Sequence, residues 1–304
     1  MADLVVVGSY NAALTVYSAT LPAPGETVVG RRFEQGPGGK GANQAIGARR
    51  LGTDVLFITR LGADAFGEQA RSVLLAEGLP GHGITTDDQN PTGIALILVD
   101  DVGQNAISVA PGANALLSGP DVLSRFGAGL RGGKYLLMQL ECRAELAVDL
   151  SSWARNVGCV SILNPAPARP LPPNALASFD IITPNEGELA TLAASLGLAA
   201  GPADVLARQL VSCGVRDVVV TLGERGALWA SAAGLEYFDA YPLRAIDTTG
   251  AGDAFNAGLA AALVRGEPME AAIDHGCRAG AFCVTRNGVI DGLGYPADLE
   301  MLRG

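Results

Sequence analysis

Asp247-Thr248-Thr249-Gly250-Ala251-Gly252-Asp253 runs directly into the helical pattern that begins Ala254-Phe255-Asn256. Small residues at 250–252 leave backbone N–H groups bare at a helix N-terminus, where partial positive charge collects. Such a start is an anion hole. A carboxylate set among those amides, Asp253, could accept a proton from a substrate hydroxyl. The amides of Gly250, Ala251 and Gly252 would meanwhile stabilise charge on a transferred phosphoryl group. The plainer alternative is an Asp that only caps its own helix.

A second glycine-rich helix start lies at Gly36-Pro37-Gly38-Gly39-Lys40-Gly41. It satisfies the GxGxxG pattern formally, but a dinucleotide fingerprint follows the first strand of its fold, and here the first strand-like run ends near Gly8. No Ser or Thr follows Lys40, so it is not a Walker A loop either. Two readings stay open: a turn that merely begins a helix, or a site where helix amides, Lys40 and Asn43 meet a polar ligand.

These segments need a scaffold that brings distant helix starts together. Valine- and isoleucine-rich runs at 4–8, 55–60, 135–139, 159–163, 181–183 and 218–222 read as strands. Amphipathic stretches at 39–51, 66–77, 144–156, 186–196, 203–213, 253–265 and 269–285 read as helices. The alternation predicts a doubly wound, mostly parallel α/β sheet. Residues 13–33 and 92–110 break it. Within the second stretch, 94–99 and 105–110 flank a turn at 100–104 as a hairpin would, so a small separate sheet is expected to act as a lid. The proline cluster at 165–173 reads as a loop.

Composition removes several function classes. With 49% hydrophobic and 17% charged residues the chain is an ordinary globular protein. A net charge of −10 disfavours nucleic acid and anionic membranes as partners. No apolar run approaches a membrane span and no signal-peptide layout opens the chain, so a cytoplasmic location is expected. The five cysteines, Cys142, Cys159, Cys213, Cys277 and Cys283, show no CxxC spacing and have only His82 and His275 as imidazole companions. All five are therefore expected to be small buried hydrophobes.

Gly38-Gly39-Lys40-Gly41-Ala42-Asn43-Gln44-Ala45 and the run from Asp247 to Asp253 resemble, in the right order, the two signature motifs of the PfkB carbohydrate kinases, the ribokinase-like family. The resemblance covers nearly the whole chain and is closest to the ribokinase branch. Gly8-Ser9-Tyr10-Asn11, Pro24-Gly25-Glu26-Thr27, Pro111-Gly112-Ala113-Asn114 and Met138-Gln139-Leu140-Glu141 carry it further. So do Asn164-Pro165-Ala166-Pro167-Ala168, Thr183-Pro184-Asn185-Glu186 and Thr221-Leu222-Gly223. It implies one kinase domain over 1–304, a Rossmann-like sheet, and a discontinuous β lid from about 13–33 and 92–110 that doubles as a homodimer interface. It also implies ATP as phosphoryl donor.

Carried over by position, the resemblance makes Asp253 the catalytic base, with the amides of Gly250, Ala251 and Gly252 as the anion hole. It assigns Asn11, Gly39, Lys40, Asn43 and Glu141 to the sugar. Asn185 and Glu188 would manage Mg2+ and phosphates, with Thr221 and Gly223 near the nucleotide. Asp247 and the carbonyl of Thr249 would bind K+. Two departures stand out. Asp291 and Gly292 replace the usual proline and serine of the cation loop, and Ala13 stands where ribokinases usually carry an Asp that grips ribose hydroxyls. The resemblance therefore implies phosphorylation of a primary hydroxyl of a pentose or related small sugar. A PfkB kinase for a ketohexose, deoxy sugar or nucleoside is one alternative. A weakly catalytic sensor is another, against which the presence of Asp253 argues.

Overall fold

Leu4–Val7 buries all four of its side chains, which a strand does only when helices cover both faces of its sheet. Leu4 and Val6 point into one apolar layer, and Val5 and Val7 into the other. The computed structural model describes residues 2–130 and 134–302. In chain order its strands are β1 (Leu4–Val7), β2 (Asn11–Tyr17), β3 (Arg32–Gly38), β4 (Val55–Gly62), β5 (Ile84–Asp87), β6 (Gly93–Val99) and β7 (Asn105–Ala110). They continue with β8 (Tyr135–Met138), β9 (Val160–Leu163), β10 (Ile181–Ile182), β11 (Asp217–Thr221), β12 (Ala227–Ser231) and β13 (Gly234–Phe238).

The large sheet has the order β13-β12-β11-β10-β9-β8-β1-β4-β5. It is parallel from β5 to β11, with β12 and β13 added antiparallel at one edge. The fold is a Rossmann-like α/β arrangement with a smaller second sheet, β3-β2-β6-β7. In that small sheet β2 pairs parallel to β6, and the two outer pairs are antiparallel. Its first two strands run from Asn11 to Tyr17 and from Arg32 to Gly38, so the expected stretch 13–33 starts late and misses most of β3, while 18–31 connect the two outside the ladder.

The helices are α1 (Lys40–Arg50), α2 (Ala65–Ala76), α3 (Gly119–Leu130), α4 (Ala144–Val157), α5 (Pro173–Leu176), α6 (Glu186–Ser195), α7 (Ala203–Ser212), α8 (Ala251–Val264), α9 (Met269–Cys283), α10 (Val289–Gly292) and α11 (Pro296–Glu300). Helices α1, α8 and α9 cover one face with Ala- and Gly-rich surfaces. A Cβ on Gly47 would meet the Ala257 side chain at 2.7 Å, so these helices approach closely enough for short polar side chains to meet across them. None of the described helices is long and apolar enough to cross a membrane.

The expected strands at 4–8, 135–139, 181–183 and 218–222 end one residue too late. Gly8, Gln139, Thr183 and Leu222 lie just past the ladders, where the chain leaves the sheet. Strand β4 instead runs on from 60 to Gly62, because it gains β5 as a neighbour. The helix expected at 253–265 starts two residues earlier, at Ala251. Several elements have no counterpart in the expected set: β5, the short helices α5, α10 and α11, the β12–β13 hairpin and α3. The last contains Gly119, Pro120, Gly127 and Gly129, poor helix formers, and packs on α4. Cys213 is exposed and Cys277 only half-buried, so the expectation of five buried thiols holds for Cys142, Cys159 and Cys283 alone. Cys213 ends α7 on the solvent side, where a thiol has no packing role.

Candidate active site

Strand order reverses between β1 and β8: the chain leaves β1 toward β4 and β5, then returns on the other side. In an open α/β sheet the crevice beyond the C-terminal ends of two such strands is where ligands bind. Here the segment after β1 supplies Ser9 and Asn11, and the segment after β8 supplies Gln139 and Glu141. They meet directly, with Ser9 Oγ donating to Glu141 Oε2 at 2.5 Å.

Glu141 Oε2 also accepts from Asn11 Nδ2 at 3.3 Å and from the Lys40 backbone N–H at 2.9 Å. A carboxylate thus sits on the N-terminus of α1, where helix geometry leaves amides free and favours negative charge. Gly39 permits this docking. Its φ of +91° is left-handed, and a Cβ there would lie 2.7 Å from the Asn11 nitrogen and 2.9 Å from the Tyr10 Cα. Asn114, buried beneath, donates to Asn11 Oδ1 at 2.9 Å and to the Tyr10 carbonyl at 2.8 Å. Asn11 therefore turns its Nδ2 toward Glu141.

Asp253 lies one turn into α8 and is 4% exposed. Its Oδ2 accepts from Asn43 Nδ2 at 2.8 Å and its Oδ1 from Gln44 Nε2 at 2.9 Å, both from α1. One turn further along each helix Gly47 faces Ala257, so α1 and α8 run parallel and present their N-termini to the same edge. At the start of α8, Gly250 has φ +82°, and a Cβ there would meet Val289 Cγ1 at 2.5 Å. Of the three amides expected to form an anion hole, that of Ala251 donates to Thr248 O at 3.3 Å. Those of Gly250 and Gly252 have no acceptor among the described residues, and the space over Gly252 is open.

Electrostatics draw Lys40 and Glu188 into the same group. The Asp253 carboxylate, against the cost of burial and with help from Glu141 and Glu188, holds the Lys40 ammonium above the usual lysine range. Burial pushes the Glu188 carboxyl up, an effect that Asp253 reinforces and that the Asn185 backbone N–H and Lys40 oppose. Asn185 and Glu188 also form a reciprocal capping box on α6, with bonds of 2.8 and 2.9 Å. The plain helix-cap role is therefore present, and Glu188 adds to it a carboxyl whose ionisation Lys40 and Asp253 both influence. Asn185 bridges to Thr221 at the end of β11, and Gly223 follows in a tight turn with φ +61°.

Asp247 and Thr249 lie apart, on the approach to α8. Asp247 accepts from Thr249 N at 2.9 Å and from Gly288 N at 3.0 Å, and the Thr249 carbonyl accepts the Cys283 thiol at 3.6 Å. Burial raises the Asp247 carboxyl, but the bonds from Thr249 and Gly288 outweigh it and leave the group below its usual range.

Several polar residues of this crevice had no role assigned from sequence: Ser9, Gln44, Asn114, Gln139, Asn164, Thr183 and Asn256. The available signal is positional. Ser9, Gln139, Asn164 and Thr183 each fall within two residues of the end of a buried strand, on the edge where such sheets bind ligands.

Over residues 1–294 the chain matches the family described as pfkB family carbohydrate kinase. It is 37% identical to a ribokinase of Haemophilus influenzae over 289 residues, 94% of this chain and 93% of that one. It is 34% identical to a deoxyribokinase of Salmonella typhi over 290 residues, 94% of each chain. The structure of Arabidopsis thaliana ribokinase complexed with ribose and ATP superposes with a TM-score of 0.88 at 30% identity, covering 99% of this chain and 98% of that one. A two-sheet α/β fold with a glycine-bounded carboxylate at its switch point, together with these matches, defines a carbohydrate phosphotransferase. The chain belongs to the pfkB family of carbohydrate kinases. It is an ATP-dependent sugar kinase.

Proposed function

We propose that this kinase transfers the γ-phosphoryl group of ATP to a primary hydroxyl of a pentose or a closely related small sugar. The observation that carries the reading is the Asp253 carboxylate, held between Asn43 and Gln44 beside the amides of Gly250 and Gly252, which have no acceptor among the described residues. Asp253 takes the proton of the attacking hydroxyl, and those amides stabilise charge on the phosphoryl group in flight. Asn11, Gly39, Lys40, Asn43 and Glu141 surround the sugar. Glu141 keeps Oε1 for a sugar hydroxyl, because its internal bonds all fall on Oε2.

No group of three or more His, Cys, Asp or Glu forms a metal cage among the described residues. A Mg2+ carried mainly by nucleotide phosphates and water needs none. Glu188, whose ionisation burial and Asp253 disfavour, gains from such a cation nearby, and Asn185, Thr221 and Gly223 complete the nucleotide side. Asp247 and the Thr249 carbonyl are oxygen donors of the kind K+ accepts, and each acceptor keeps a lone pair beyond the bonds it makes. The domain is read as single over 1–304, with the small sheet closing as a lid. Its outer face, with Leu14, Val16, Phe33, Leu96 and Leu98 in register, suits a second copy of the chain and hence a homodimer.

Deoxy sugars form the second reading, favoured by Ala13, whose methyl replaces a hydroxyl-binding carboxylate, and by the deoxyribokinase relative. Coupled ADP release measured with ribose, deoxyribose, ketohexoses and nucleosides tests both. Turnover with a pentose or deoxypentose supports the reading, and turnover with a nucleoside or ketohexose alone overturns it.

A further inference from the structure

Gln44 is fully buried, 0% exposed, and lies outside the group read above as touching sugar or nucleotide. Its Nε2 donates to Asp253 Oδ1 at 2.9 Å and to Asn164 Oδ1 at 3.0 Å, and its Oε1 accepts from Gln139 Nε2 at 2.6 Å. The chain of bonds continues. Asn164 Nδ2 donates to Thr183 O at 3.0 Å, the Thr183 hydroxyl to Asn256 Oδ1 at 2.6 Å, and Asn256 Nδ2 to Gly252 O at 2.8 Å. Gly252 is the covalent neighbour of Asp253, so the bonds close into a ring. Every side chain in it is at most 5% exposed.

The ring has only one possible direction. An ionised carboxylate is an acceptor only, so Gln44 must turn its NH2 to Asp253 and its carbonyl to Gln139. Asn164 must then accept from Gln44 and donate to Thr183, and Asn256 must accept from Thr183 and donate to Gly252. A rotation of any one amide would face donor with donor or acceptor with acceptor at buried positions, where an unmade bond is costly. The carboxylate of Asp253 and the carbonyl beside the open Gly252 amide are therefore fixed together.

We propose that Gln44 is a positioning residue for the phosphoryl transfer, locking the angle of Asp253 and the seat of the Gly252 peptide through this ring. The inference rests on the reading of Asp253 as the base. It assigns Gln44 no contact with sugar or nucleotide. It separates the paired amides of α1: Asn43 stands on the sugar side, and Gln44 works from behind the carboxylate.

Two variants test it, each measured at saturating ATP over a sugar titration. Gln44→Leu keeps the bulk and removes the donor; kcat is expected to fall about 10- to 100-fold, as misplacing a reacting group does. The sugar KM should stay within about threefold, because ground-state contacts are untouched. Gln44→Glu is isosteric and is the deciding variant if Gln44→Leu does not fold. At low pH the introduced carboxyl is protonated and can still donate to Asp253. As pH rises it ionises beside a second carboxylate, so kcat should acquire a descending limb that the wild type lacks. Asp253 is also faced by Lys40 from α1, Glu188 from α6 and Cys283 from the end of α9. All three are unchanged in both variants, so their influence is common to every profile. A network that only stabilises the fold would lower Tm and leave the KM-to-kcat split and the shape of the pH profile as in the wild type. Full kcat in Gln44→Leu, or a Gln44→Glu profile parallel to the wild type, overturns the proposal. Asp253→Asn run alongside separates the failures: if it retains kcat, the base assignment is lost, and if only the Gln44 variants are normal, the positioning role alone is lost.

Discussion

Asp253→Asn keeps the shape of the side chain and removes its negative charge. Both wild-type oxygens accept hydrogen bonds, from Asn43 at 2.8 Å and from Gln44 at 2.9 Å, so the new NH2 group must face one former donor. Gln44 cannot turn round without breaking its 2.6 Å bond from Gln139. Asn43 can, because its Oδ1 is buried and has no partner among the described residues. Rotation of that one amide turns a clash into a new bond, leaving a neutral pair in place of a charge-assisted one at a cost of about 1 kcal/mol. The variant should therefore fold, with Tm lowered by only a few degrees. Turnover is different. Loss of a positioned base costs about 10²–10⁴-fold, equivalent to roughly 2.7–5.5 kcal/mol of barrier. In a coupled ADP-release assay kcat should fall by that range, with sugar KM within a few fold of wild type. A folded variant with near-normal kcat would refute the assignment, and a variant that loses sugar binding without losing kcat would make Asp253 a binding group instead.

Three further outcomes follow from the geometry. Ala13 lies on the same face of β2 as Asn11, in register with Gly36 and Ala95, so a longer side chain has room there. Ala13→Asp should raise kcat/KM for ribose about tenfold or more, the worth of one charged hydrogen bond, and impair the native substrate; no gain for ribose would show that position 13 does not set specificity. Glu188→Gln can still accept the Asn185 N–H and preserve α6, yet it loses the carboxylate proposed to serve a cation. The Mg2+ concentration giving half-maximal rate should rise about tenfold, and an unchanged Mg2+ titration would remove Glu188 from that role. If the small sheet closes over the sugar, hydrogen exchange in β2, β3, β6 and β7 should slow when sugar binds, whereas equal rates with and without sugar would leave it a fixed platform.

The alternation of apolar runs with amphipathic stretches disclosed the sheet because each parallel strand, buried on both sides, must be apolar almost throughout, as Leu4–Val7 is. The β12–β13 hairpin left no such trace. Strand β13 is half-exposed at an edge, and its side chains need not follow a burial pattern. Asp253, Lys40 and Asn43 were legible because glycine-rich helix starts are rare and their chemistry is local. The ring through Gln44, Asn164, Thr183 and Asn256 was not. Its members lie up to 212 positions apart in sequence, and each alone reads as an ordinary polar residue near an element end. Only the parallel docking of α1 on α8, set by small residues such as Gly47 and Ala257, brings them within bonding distance.

Of the strands, β1 is made before the others, yet it lies inside the large sheet, between β4 and β8. Its partner on one side, from Val55, arrives early, but the other, Tyr135–Met138, is still unmade when the β2–β6 pairing is already possible. At typical synthesis rates of 5–20 residues per second the interval between β1 and β8 is roughly 7–26 s. Throughout that time the nascent chain exposes an apolar, hydrogen-bond-hungry edge, the kind of surface that recruits other strands. The crevice proposed to hold the sugar is the same seam seen from its end. Pairing of β8 thus assembles the Ser9 and Glu141 side of the crevice well before Asp253 of α8 is made, and the open edge then passes to β8 until β9 follows.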